Sequence, residues 1–185
     1  MIVMVVAGAF WIGAIPFGVL LAGRRGVDIR ERGSGNIGAA NVTRVLGLRA
    51  GLAVLVLDST KGAVPTWFAL RHAAPWLVAA TGLAAILGHC FSPFLGGKGG
   101  KGVATALGVF AVLAPPAALL GIATFALVFA LSRVPAVGSL AGAVTIATML
   151  CVTGPTAYAC LAVVIAGLLV WTHRGNLRGL KTRAR

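Results

Sequence analysis

Two long stretches of this chain, Gly102 to Ser132 and Val134 to Thr172, carry no charged residue at all. A helix needs about 20 apolar residues to cross the hydrocarbon of a bilayer, and each stretch is too long for one such helix. Each also holds a helix breaker, Pro115-Pro116 in the first and Gly154-Pro155 in the second, so both read as helical hairpins. Three further spans precede them: Ile2 to Ala22, Gly51 to Leu70 in spite of Asp58 and Lys61, and Ala73 to about Leu87, ended by Gly88-His89. The pattern predicts an all-α polytopic membrane protein with seven transmembrane helices, one domain over residues 1–185. Composition agrees, with 59% hydrophobic residues and 10% charged ones, where soluble domains have roughly 25% charged.

The basic residues orient the spans. With the N-terminus outside, one face receives Arg24, Arg25, Arg30, Arg32, Arg44, Arg49, Lys98, Lys101, Arg133, Arg174, Arg178, Lys181, Arg183 and Arg185, leaving only Lys61 within a span and Arg71 on the other side. That asymmetry is the positive-inside pattern and puts the C-terminus in the cytoplasm. It also accounts for a net charge of +13 that in a soluble chain would point to nucleic acid; no nucleic-acid partner is expected. No charge precedes Arg24, so the first segment lacks the basic start of a cleavable signal and reads as a retained helix. Cys90, Cys151 and Cys160 sit in apolar surroundings without metal spacing; they read as packing residues, and neither metal nor cofactor is expected.

Four polar segments stand out. In Gly33-Ser34-Gly35-Asn36-Ile37-Gly38, Ser34 or Asn36 can cap a short helix ending near Gly47, with backbone amides open to an anion at its start. Asn41 and Arg44, three residues apart, fall on one face of that helix. The second segment, Gly96-Gly97-Lys98-Gly99-Gly100-Lys101-Gly102, sets glycines around two lysines and reads as a phosphate cradle. It is not a Walker A loop, because Gly102 stands where Ser or Thr would bind magnesium. Third, Asp58 and Lys61 form an i, i+3 pair within a span, structural or functional, with Lys61 able to lean toward the anion site. Last, His173 and Asn176 share one face at the end of the final span. Ser139, just after the Arg133 loop, can serve helix packing or ligand contact. Residue chemistry thus gives a phosphate site at the cytoplasmic face, without a reaction.

In order and spacing, Ser34 to Gly47, Leu57 to Gly62, Gly88 to Thr105 and His173 to Arg178 resemble the bacterial membrane acyl-phosphate:glycerol-3-phosphate acyltransferases. The resemblance covers essentially the whole chain. It implies transfer of a fatty acyl group from acyl phosphate to the sn-1 hydroxyl of glycerol 3-phosphate, giving lysophosphatidic acid and phosphate. It places the chain in the bacterial inner membrane among lipids, with the site on the cytoplasmic side. By similarity Ser34, Arg44, Lys101, His173 and Asn176 are the catalytic candidates, and Gly35, Asn36, Asn41, Lys98, Gly99, Gly100, Gly102, Ser139, Lys61 and His89 the binding candidates. Phosphate is a good leaving group, so no covalent nucleophile is required; the base is His89, His173 or the leaving phosphate. The residues five after each histidine are Leu77, Phe94 and Arg178, so the HxxxxD signature of the other glycerol-phosphate acyltransferase class is absent. Ala40 stands where the family usually has Thr, Gly97 where it has Phe, and Gly179 where it has Arg. The alternative is a non-catalytic transporter or channel for a phosphorylated small molecule.

Overall fold

A computed structural model describes residues 2–183, with side chains over 3–178. The chain is all-helical among these residues. Helices α1 (Ile2–Ala14) and α2 (Phe17–Gly23) are followed by a loop, the short α3 (Ala39–Leu46) and the long α4 (Leu48–His72). Then come α5 (Pro75–Cys90), a 3-10 turn at Pro93–Leu95, α6 (Val103–Leu113), α7 (Pro115–Ser132), α8 (Pro135–Thr153), α9 (Thr156–Thr172) and α10 (Arg174–Arg183). Arg185 lies outside the described residues, as do the surroundings of Gly179 and the side chains of Lys181 and Arg183.

Both hairpins break at the residues that predicted them. Pro115 opens α7 at a position where its missing N–H is no loss, and Gly154-Pro155 separates α8 from α9. Length and composition qualify four segments to cross a membrane: Val3–Gly23, Pro75–Leu95, Pro115–Ser132 and Pro135–Thr153. The others expected fall short for identifiable reasons. Helix α6 has 11 residues and α9 has 17, whereas α4, at 25 residues, is long enough but carries Arg49, Asp58, Lys61 and Arg71.

The first span is not the continuous helix expected from Ile2 to Ala22. Pro16 interrupts it, and the carbonyls it frees are met from elsewhere in the bundle. Ser92 Oγ donates to Ala14 O at 2.6 Å, and Lys61 Nζ donates to Ile15 O at 2.8 Å. The buried Lys61 is thus the strut of a helix break as well as the partner of Asp58, whose Oδ1 is 2.9 Å from its ammonium. It does not lean toward the anion site.

Small residues let the helices close on one another, the usual device where lipid supplies no hydrophobic drive to helix pairing. A Cβ at Gly62 would run into the Thr105 carbonyl, and one at Gly108 into that of Ser59, so α4 and α6 touch through their backbones. Gly13 and Gly88 do the same for α1 and α5, against the carbonyls of Ala85 and Phe10. Gly121 and Gly142 make the crossing of α7 and α8. Of the cysteines only Cys90 is buried; Cys151 and Cys160 face outward, so packing explains one of the three. Connections of one or two residues at Ala73-Ala74, Ala114 and Gly154-Pro155 force successive helices antiparallel. The long polar loops consequently gather at the opposite end, around a shared cavity.

Candidate active site

That cavity has a volume of about 560 Å³ and runs from the polar loops into the space between α6, α7, α8 and α9. Its polar end takes in Ser34, Asn36, Asn41, Arg44, Asp58, His89, Lys101, Gly102, Ser139, His173 and Asn176. Its other arm is apolar, with Leu107, Phe110, Ile122, Phe125, Ile146, Ile165 and Leu169 on the walls. Residues far apart in the sequence thus meet in one chamber that is cationic at one end and hydrocarbon-like at the other.

Helix α3 delivers Arg44. Val42 is fully buried and packs with Ile29, Ala50 and Val54, while Val45 and Leu46 cover the cluster; Arg25 Nη1 caps the Leu46 carbonyl at 3.2 Å. The helix starts four residues later than a Ser34 cap would require and two later than an Asn36 cap. Gly38 is the N-cap, with no side-chain cap, and Asn36 Oδ1 instead accepts the Gly38 N–H at 2.9 Å, a turn that leads into the helix. The amide of Asn41 is engaged by the backbone around it. Its Nδ2 donates to the carbonyls of Ile29, Arg32 and Asn36, and its Oδ1 accepts the Ser34 N–H at 2.8 Å. Asn41 is therefore the post around which residues 29–41 are wound. Ala40 lies on the cavity wall, so a threonine there would present its hydroxyl to the chamber.

The glycine-rich segment works otherwise than a wrapping cradle. The N–H groups of Gly97, Gly99 and Gly100 donate to the carbonyls of Ser92, Cys90 and His89 at 2.9–3.0 Å, leaving them nothing for an oxyanion. Their lack of side chains serves close approach: a Cβ at Gly99 would strike the His89 carbonyl, and one at Gly100 the His89 ring. Gly97 adopts φ +78°, which a phenylalanine would hold only under strain. What faces the cavity is the end of the segment: Lys101, Gly102 as a left-handed N-cap, and Val103 and Ala104 of the first turn of α6. First-turn amides have no partner within their own helix and carry the positive end of its dipole, so an anion is drawn to this point. Lys98 is exposed and lies outside the cavity, as do Lys61, Gly35, Gly99 and Gly100.

Lys101 is positioned by the tail. Asn176 Oδ1 accepts a hydrogen bond from its ammonium, and Thr172 Oγ1 donates to its carbonyl at 3.1 Å. Burial, with the Arg44 guanidinium near it, lowers the pKa of Lys101. A counter-charge from a ligand would relieve both effects.

The two histidines of this end differ in what they can offer. His173 Nδ1 is 2.8 Å from the Leu169 carbonyl; a carbonyl only accepts, so Nδ1 carries the proton and Nε2 is left as an acceptor. Burial lowers the His173 pKa, opposed by the Leu169 carbonyl and aided by Lys101, so the ring is neutral near pH 7. His89 is buried with the Nε2 edge of its ring against Gly100 and its Nδ1 3.8 Å from Asp58 Oδ1, a poor position from which to reach a substrate proton at Nε2. Ser139 lines the wall while its hydroxyl donates to Pro135 O at 2.9 Å, leaving its oxygen free to accept. Asp58, read from the sequence only as half of an ion pair, belongs to the wall as well. No sequence signal distinguished the apolar arm, because its residues are of the same kinds as those facing lipid.

A family model for glycerol-3-phosphate acyltransferase matches residues 3–183. The glycerol-3-phosphate acyltransferase of Myxococcus xanthus is 51% identical over 92% of this chain and 91% of that protein. That of Aquifex aeolicus is 40% identical over 94% and 92% respectively. Among solved structures, the fold is similar to the integral membrane glycerol 3-phosphate acyltransferase PlsY in its glycerol 3-phosphate form. The TM-score is 0.95 at 39% identity, covering 98% of this chain and 92% of that one. The lysophosphatidic acid form of PlsY matches with TM-score 0.93 at 38% identity over the same shares. With these matches along its whole length, the chain belongs to the glycerol-3-phosphate acyltransferase family of integral membrane proteins.

Proposed function

We propose that this chain transfers a fatty acyl group from acyl phosphate to the sn-1 hydroxyl of glycerol 3-phosphate, forming lysophosphatidic acid and inorganic phosphate. One observation carries the reading. A single cavity joins a cationic end, built from Arg44, Lys101 and the start of α6, to an apolar arm between helices. Each substrate has a phosphate, and the donor also has a hydrocarbon tail. A thioester donor would bring no phosphate to the point of transfer.

The residues divide the work. Arg44, Lys101 and the free amides at the start of α6 hold phosphate oxygens, with Asn176 keeping Lys101 aimed. Ser34 and Asn36 line the same end and offer hydrogen bonds to the glycerol phosphate. The acyl tail lies along Leu107, Phe125 and Ile165, where burial from water favours it at about 0.8 kcal/mol per methylene. The sn-1 oxygen attacks the acyl carbonyl, a carbon–oxygen ester bond forms, the bond to phosphate oxygen breaks, and phosphate leaves with the electron pair. The hydroxyl proton passes to His173 Nε2, the acceptor that the Leu169 contact leaves open. Holding two reactants in one geometry and meeting the developing charge with fixed cations supply the rate, without an acyl-enzyme.

The same reading sets the chain in a bacterial inner membrane with seven passes, the N-terminus outside and the basic end in the cytoplasm, as the distribution of Lys and Arg favours. Helix α6, with 11 residues, covers only about 16 Å, so its start opens below the membrane surface. A polar site recessed there receives a soluble phosphate from the cytoplasm and a lipid tail from the bilayer.

The test gives detergent-purified protein glycerol 3-phosphate with palmitoyl phosphate, palmitoyl-CoA or palmitoyl carrier protein, and determines the position of the acyl group in the product. Product from palmitoyl phosphate alone, acylated at sn-1, is the expected result. Turnover of the thioesters in its place, or acylation at the other hydroxyl, would overturn the assignment of donor or position.

A further inference from the structure

Three buried polar atoms among the described residues lack a hydrogen-bond partner: Asp58 Oδ1, His89 Nδ1 and Thr105 Oγ1. Asp58 and His89 are 2% and 3% exposed and both line the cavity, whereas Thr105 does not. Asp58 Oδ1 sits 2.9 Å from the Lys61 ammonium, in ion contact, and a carboxylate oxygen has two lone pairs, so it can still take a second donor. Lys61 is in turn fixed by the Ile15 carbonyl at 2.8 Å. His89 cannot simply turn away. Its carbonyl accepts the Gly100 N–H and the Nε2 edge of its ring abuts Gly100. Two groups are thus held 3.8 Å apart, too far to bond each other and close enough to share one atom between them. A buried polar atom left unmet is costly enough that its partner is worth seeking.

The chemistry narrows the partner. Asp58 needs a donor, and His89 Nδ1, if protonated, needs an acceptor. A phosphate oxygen supplies no proton and would meet the carboxylate with like charge. An acyl carbonyl cannot donate, and an alkyl chain does neither. A hydroxyl does both through one oxygen. Resting on the acyltransferase reading above, we infer that Asp58 and His89 form a subsite for a hydroxyl of the acceptor substrate. The occupant is the hydroxyl that does not react, the one on C2 of glycerol 3-phosphate, with water in its place when the site is free. The reacting hydroxyl belongs beside His173 Nε2, since the charge of Asp58 is already matched by Lys61. The subsite selects for a vicinal diol phosphate over a simple hydroxyalkyl phosphate and fixes which of the two hydroxyls faces the acyl carbonyl.

The experiment compares glycerol 3-phosphate with 3-hydroxypropyl phosphate, which keeps the reacting hydroxyl and lacks only the one on C2. Palmitoyl phosphate is the common donor, and the enzymes are wild type, His89→Leu and His89→Asn. An asparagine amide nitrogen can stand near the place of Nδ1 and leucine offers no donor. The wild type is expected to favour glycerol 3-phosphate by about 10- to 100-fold in kcat/KM. His89→Leu loses that preference by acting poorly on the diol, and His89→Asn restores part of it. A role in packing alone would lower both substrates by one factor and leave the ratio unchanged, which overturns the subsite, as does a wild type that does not discriminate. Wild-type turnover of glycerol 3-phosphate without discrimination sinks the subsite and leaves the acyltransferase standing. Absence of turnover from folded protein sinks both.

Discussion

The segment wound around Asn41 and the segment from Gly96 to Lys101 look alike as sequence, each a set of glycines beside polar and basic residues, yet they serve the cavity by different means. In the first, a buried side chain does the holding: Asn41 ties four backbone groups of residues 29–36 together and leaves Arg44 to face the cavity. In the second, backbone does the holding, with the amides of Gly97, Gly99 and Gly100 bound to carbonyls of Ser92, Cys90 and His89. Its cavity-facing elements are then Lys101 and the start of α6. Polar groups in a motif divide into those that build the loop and those that meet the substrate. The division follows from which of them are buried and already paired, not from residue type.

Substitutions in the two segments should differ in what they cost. The largest effect on turnover is expected for Lys101→Ala, which removes the cation at the α6 N-terminus: a loss of about a thousandfold in kcat/KM, with the fold kept. An effect below tenfold would mean the phosphate sits elsewhere. Arg44→Ala, which loses a charge-assisted contact in a more open position, is expected to cost about a hundredfold, read from the same assay. Asn41→Ala differs in kind. Four groups lose their partner at once, so thermal stability in detergent falls, on the order of 3 kcal/mol, and activity falls in step with the folded fraction. A fully stable, inactive Asn41→Ala protein would contradict the structural role given to the residue.

Acidity gives a smaller but more specific mark. Burial lowers the His173 pKa below its ordinary 6.5, so the imidazole stays neutral as pH falls through 6.5. The enzyme's acid limb in kcat/KM should lie under that value. Glycerol 3-phosphate itself ionises nearby, since phosphate monoesters have a second pKa of about 6. A His173→Gln variant therefore isolates the enzyme's share, as the limb that vanishes with the ring. Burial and Arg44 lower the Lys101 pKa likewise, so the alkaline limb of the wild type is expected below pH 10.5. The smallest effect belongs to Lys98→Ala. Its side chain is exposed and outside the cavity, and kcat/KM should stay within about twofold; a hundredfold loss would return the whole glycine segment to the role of a cradle.

Much of the fold was legible because charge and proline are strong signals in a membrane chain. Pro115 and Gly154-Pro155 placed both hairpin turns, and the runs of Lys and Arg grouped the loops that the structure gathers around one cavity. The break at Pro16 was missed because the apolar run continues through it unbroken; the side chains that reach the carbonyls there, Lys61 and Ser92, are distant in sequence. Of the site, the types at Ser34, Arg44, Lys101, His173 and Asn176 carried enough chemistry to be picked out, and all five meet at the cavity. Lys98 and Lys61 carry the same chemistry and do not, because exposure and a prior ion pair are properties of the folded chain. The apolar arm stayed hidden for the reason that hides any hydrocarbon-facing wall in a lipid-facing protein: leucine, isoleucine and phenylalanine serve both surfaces.

In the proposed function, one chamber holds phosphate at its basic end and the acyl tail in its apolar arm. A crystal structure of the protein with glycerol 3-phosphate and a non-hydrolysable acyl phosphonate tests it most directly. The expected result places phosphate or phosphonate oxygens against Lys101 Nζ, Arg44 and the first amides of α6, with the alkyl chain running past Leu107 and Phe125 toward Ile146. A chain lying outside the bundle, or a phosphate bound at Lys98 away from the start of α6, would contradict it.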